Sequence, residues 1–131
     1  MAVGVGCGGM LLFGGGQQST GRSQIVDIYD VPNKRWLPPA HLNASRSNLA
    51  AGCMGGRYAV FGGGQCVGHN KYVAEAMVDV YDTVGNSWGL LHPLSYGRGK
   101  LVGAGAGKCV AFGGGGARPA GGADVDVYCV A

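Results

Sequence analysis

The sequence predicts an all-β protein assembled from three consecutive copies of one unit, and three observations lead there. The 131-residue chain contains 28 glycines. Each costs about 1 kcal/mol in a helix interior, so long helices are hard to write. No window of eleven or more residues carries a 3.6-residue apolar period. Apolar residues come instead in short runs of β-branched, aromatic and aliphatic side chains, such as Met10–Phe13, Tyr58–Phe61 and Val78–Tyr81. These runs are bounded by turn chemistry at Pro32-Asn33, Gly55-Gly56, Gly85-Asn86 and Gly107, the pattern of strands joined by tight turns. The third observation is internal repetition.

Without a gap, residues 1–13 (MAVGVGCGGMLLF) align with 49–61 (LAAGCMGGRYAVF) and 100–112 (KLVGAGAGKCVAF). Each segment ends in Phe followed by at least three glycines. A loop of variable length leads to a second shared block: Val26-Asp27-Ile28-Tyr29-Asp30, Val78-Asp79-Val80-Tyr81-Asp82 and Val125-Asp126-Val127-Tyr128-Cys129. Trp36 and Trp88 each follow their Tyr by the same interval. Four short strands in a unit of roughly 50 residues is the period of a propeller blade. Several strands alternate weakly, as expected when both faces of a sheet are covered.

The glycine pair closing the second strand, the Tyr of the third and the Trp of the fourth resemble kelch repeats. The matching positions are Gly14, Gly15, Tyr29 and Trp36 in the first copy and Gly62, Gly63, Tyr81 and Trp88 in the second. The third has Gly113, Gly114 and Tyr128 but no Trp. Arg46 and Arg98, each just ahead of the next unit, are also kelch-like. The resemblance spans essentially the whole chain and implies a partial β-propeller of about three blades and eleven strands. The expected blades cover about 1–45, 46–97 and 98–131, the last lacking its outer strand.

In that arrangement the glycine runs are structural. They allow backbones to pass closely near the axis and supply positive φ at a sharp strand exit. The small residues of the first strand (Val3-Gly4, Ala50-Ala51-Gly52, Gly103-Ala104-Gly105) suit the most crowded position, and Tyr and Trp fill the wider gaps further out.

Other glycine patterns lead nowhere. Gly4–Gly9 satisfies G-x-G-x-x-G on paper, but a strand follows where a dinucleotide site needs a helix. Gly103–Cys109 lacks the spacing and the hydroxyl of a phosphate-binding loop. Formal net charge is +3, and the ten Lys and Arg are scattered, so nucleic acid is not an expected partner. No membrane span is expected, because no stretch of about 18 residues is apolar throughout. MAVGVGCGG lacks the basic and long apolar regions of a secretory signal. Cys7, Cys53, Cys66, Cys109 and Cys129 form no CxxC pair and are odd in number; free, mostly buried thiols are expected rather than disulfides or a zinc site. Asn43-Ala44-Ser45 matches a glycosylation sequon, a triplet that also arises by chance.

His41 and His92 occupy one repeat position after their Trp, the ordinary place for a partly exposed loop residue, and His69 lies alone in a polar loop. The recurring Asp27, Asp79 and Asp126 lack the clustered spacing of a Ca²⁺ site, so hydrogen bonding to backbone is expected of them. No catalytic, cofactor or metal residue is expected. The resemblance implies a non-catalytic scaffold for protein partners, packed against further blades, another copy or other subunits. The loops freest to vary are Gln17–Gln24, Gln65–Ala76 and Ala117–Ala123; the second carries His69, Asn70, Lys71 and Tyr72 as the candidate partner-binding residues. Two alternatives stand beside this reading. One is a purely structural subunit. The other is a copper radical oxidase of the galactose oxidase type, which uses a kelch propeller and for which Cys66 and Tyr72 share the right class of loop without the remaining ligands.

Overall fold

The computed structural model describes residues 1–18, 21–68, 71–115 and 125–131, and among these it is all-β without a helix. Three antiparallel sheets follow one another along the chain. The first contains β1 (Ala2–Cys7), β2 (Met10–Gly15), β5 (Ile25–Asp30) and, on one edge of β5, the short β6 (Arg35–Trp36) and β7 (Ala40–His41). Sheet two runs in spatial order from β8 (Ala50–Met54) through β9 (Tyr58–Gly62) and β12 (Val78–Asp82) to β13 (Ser87–Leu91). Sheet three has β14 (Val102–Ala106), β15 (Cys109–Gly113) and β16 (Val125–Cys129).

The described strands number sixteen rather than the eleven expected. Two hairpins, β3 (Gln17–Gln18) with β4 (Gly21–Arg22) and β10 (Gln65–Gly68) with β11 (Lys71–Ala74), lie within segments read as variable loops. The fourth strand of the first sheet is also split, because Pro38-Pro39 separates β6 from β7 and proline has no N–H for the ladder.

The core lies between the sheets. Cys7, Leu12, Val26 and Ile28 of the first sheet meet Ala51, Ala59, Phe61 and Tyr81 of the second. Val60 and Val78, on the second sheet's other face, meet Val110, Phe112 and Tyr128 of the third. Phe61 and Phe112 are fully buried. Each lies over the glycine that opens the preceding run: a Cβ on Gly14 would stand 3.3 Å from Phe61, and one on Gly62 3.1 Å from Phe112. The next glycine turns the chain, with φ of +72° at Gly15 and +67° at Gly63. Backbone hydrogen bonds then join adjoining units in the same way twice. Gly16 and Gly64 donate to the carbonyls of Arg46 and Arg98 at 2.9 Å, and Asn48 and Lys100 donate to those of Met1 and Asn48, also at 2.9 Å.

One turn breaks the repeat. Cys7 pairs with Met10 and Ala106 with Cys109, leaving two-residue turns, whereas Met54 pairs with Tyr58 across the three residues Gly55–Arg57. The extra residue slips β8 by one position, and a one-residue slip reverses which face a side chain occupies. Cys53 therefore faces the first sheet and forms a disulfide with Cys7. A second disulfide joins the cross-strand neighbours Cys109 and Cys129. The expectation of free thiols is thus corrected for four of the five cysteines. Their pairing follows from sheet packing and strand register, which linear spacing does not reveal. Cys66 remains a thiol.

Candidate interaction faces

In each unit Phe, Asp and Tyr project from one side of the sheet, joined in the first two by Trp. The register that does this is constant: Phe13 opposite Asp27, Phe61 opposite Asp79, Phe112 opposite Asp126. This side looks toward the preceding sheet. Trp88 packs on Phe61 and Tyr81 at ring separations of 6.0 and 5.0 Å, and Phe112 meets Tyr128 edge-on at 6.2 Å. On the first sheet the same side has no described neighbour. Trp36 is 61% exposed and Phe13 45%, with Leu11 and Ile25 beside them. The opposite side of the third sheet is likewise open, with Val102 72%, Val125 59% and Val127 56% exposed. Trp36 and Tyr29 therefore do not fill a gap between sheets as Trp88 and Tyr81 do.

Behind the covered faces sit two buried cations. Arg46 is fully buried and donates through Nη1 to the Met77 carbonyl at 2.8 Å and through Nη2 to the Asp79 carboxylate. Its Nε finds no acceptor among the described residues. Asp79 also accepts from the Asn43 backbone N–H at 3.2 Å. Burial opposes charge on both partners: it pushes the Asp79 carboxyl above its ordinary value against the pull of the guanidinium, and pulls Arg46 down. Arg98 repeats the motif, donating to Asp126 and to the carbonyl of Phe112, while the Ser95 N–H donates to Asp126 at 3.0 Å. The expected backbone bonds to the recurring aspartate thus exist for Asp79 and Asp126, but sequence reasoning missed the arginine partner. Asp27 is exposed and has no such partner among the described residues.

At the outer rim, Arg57 grips Asp82 with two hydrogen bonds of 2.7 Å and holds its carboxyl far below the usual range. Tyr128 donates to the His92 carbonyl at 3.0 Å, its ring 4.7 Å from the His92 ring. Burial raises its phenol to about 12. Beyond Tyr128, a groove of about 400 Å³ opens between the second and third sheets, lined by Met54, Tyr58, Trp88, Leu91 and Val130. β16 borders it and pairs among the described strands with β15 alone.

Of the candidate loop residues, His69 and Asn70 lie outside the described residues, as does the loop 117–123. Lys71 and Tyr72 stand in β11, opposite Gly68 and Val67. Cys66 lies in β10 opposite Val73, its thiol raised by burial and hydrogen-bonded to Glu75 at 3.3 Å. His41 is exposed in β7, and it does not approach His92 in any described contact. No protein-family model matches the chain, and no curated protein is detectably similar to it.

Proposed function

We propose that the chain is a run of kelch-type repeats acting as a non-catalytic scaffold for protein–protein association, within a longer propeller or a larger complex. One observation carries the reading. The two open faces are the two halves of an interface that the chain already makes twice internally. The Phe13–Tyr29–Trp36 side corresponds to the Phe61–Tyr81–Trp88 side that the first sheet covers. The Val125–Val127 side corresponds to Val26–Ile28 and Val78–Val80, each of which meets the next sheet. Apolar faces of this kind on a protein surface mark association sites. The free edge of β16 adds a place where a further strand can pair.

Sedimentation velocity at low micromolar concentration tests the proposal. The chain is expected to self-associate or to require further units, and Phe13→Ser with Trp36→Ser is expected to reduce association. Both side chains are exposed, so a fold lost with them is not expected. A monodisperse, cooperatively melting monomer with both open faces intact would sink the idea.

A further inference from the structure

We propose that Asn43 is an N-glycosylation site and that the chain matures in an oxidising, glycosylating compartment. The triplet Asn43-Ala44-Ser45 is the one Asn-x-Ser/Thr in the sequence, and it lies on a bend between β7 and β8. Asn43 is exposed. Its backbone N–H is committed to Asp79, which fixes the main chain. Its Nδ2 meets Met77 Sδ at 3.4 Å, a weak acceptor that the amide gives up at little cost. The Ser45 hydroxyl takes no hydrogen bond among the described residues. Asn43 also borders a shallow groove with His41, Trp88 and Leu90, and Leu90 is 56% exposed. The apolar face of a first N-acetylglucosamine would rest on this aromatic and aliphatic bed. At the equivalent place in the next unit stands Ser95, which offers no amide.

The compartment follows from an independent feature. Four of five cysteines are in disulfides, one of them clasping two sheets. Such bonds persist where the surroundings are oxidising and are rare where glutathione keeps thiols reduced. The modification itself balances with an oligosaccharide carried on a polyprenyl diphosphate. Asn43 Nδ2 attacks the anomeric carbon, a C–N bond forms as the C–O bond to diphosphate breaks, the polyprenyl diphosphate departs, and one amide proton passes to the transferring enzyme's base. This inference is independent of the scaffold role.

The test is secretion of the full chain from a eukaryotic host behind a cleavable leader, with mass analysis before and after peptide N-glycosidase treatment. One glycan per chain is expected, absent in Asn43→Gln and Ser45→Ala and retained in Ser45→Thr. A non-reducing digest should contain the Cys7–Cys53 and Cys109–Cys129 linked peptides. A secreted, disulfide-bonded chain with a bare Asn43 would overturn the site. A chain that melts cooperatively with all five thiols free, made in a reducing cytosol, would overturn the compartment.

Discussion

Replacing Arg46 with Met removes the cation and leaves its neighbours in place. Asp79, 3% exposed, would keep a carboxylate with no guanidinium beside it, and the Met77 carbonyl would lose its donor. Truncating one member of a buried ion pair costs about 3–5 kcal/mol, most of it the penalty on the abandoned charge. The internal reference is Arg57→Met. That pair has better bidentate geometry, yet Arg57 is 43% exposed, and exposed pairs contribute about 0.2–1 kcal/mol. Arg46→Met should therefore lower the melting temperature by about 10 °C or more, several times the effect of Arg57→Met. The pH dependence gives a second reading. With Arg46 gone, burial of Asp79 is opposed only by the Asn43 N–H, and its folded pKa rises further above the unfolded value. Protonation then favours the fold, so the deficit should be smallest below the unfolded carboxylate pKa of about 3.9 and grow as pH rises through the folded value. Adding Asp79→Leu should recover much of the loss at neutral pH. Urea melts at one fixed protein concentration measure this, since association would otherwise shift the midpoint. Equal losses for Arg46→Met and Arg57→Met would refute the reasoning.

Three further outcomes are expected. Gly63→Val should cost more than about 2 kcal/mol in a urea melt, because φ is +67° and the new Cβ would stand 2.7 Å from the Arg98 carbonyl; an unchanged melt would show the turn to be dispensable. Opening Cys7–Cys53, which spans 46 residues, should cost about 4 kcal/mol, against about 3 for the 20-residue Cys109–Cys129 link, if loop entropy dominates. Paired Cys→Ser variants compared by melting would expose a reversed order. Tyr128 has a raised folded pKa, so its contribution is complete below the unfolded value of about 10 and is lost as pH climbs toward about 12; Tyr128→Phe should flatten that alkaline loss, which fluorescence-monitored melts would follow.

Strand runs and repeats were readable because they are local. Met10–Phe13, Tyr58–Phe61 and Val78–Tyr81 all fall within observed strands, and the Phe–Asp register recurs in all three units. The buried ion pairs were half readable: Arg46 and Arg98 stood out as repeat residues, and so did Asp79 and Asp126. Pairing them required knowing that segments 33 and 28 residues apart converge. The Cys109–Cys129 bond had a signal of its own. Register places Met10 opposite Asp30 and Tyr58 opposite Asp82, so a cysteine replacing both members in the third copy implies a bond. Cys7–Cys53 had none, because it depends on one added turn residue. The hairpins β3–β4 and β10–β11 escaped notice for another reason: their strands are too short and polar to carry an alternating pattern.

That added residue also means the three units are not interchangeable parts. They descend along the chain with nearly the same spelling, yet the second alone carries the offset that points a thiol backward. Copying the first unit into the middle would keep every signature residue and lose the clasp. Re-closing the turn on two residues, so that Gly55 rather than Met54 paired with Tyr58, would do the same, swinging Cys53 away from Cys7 and leaving two thiols where there had been one bond. Any expansion of this array by duplication therefore meets a constraint at its second hairpin that the repeat signature does not display.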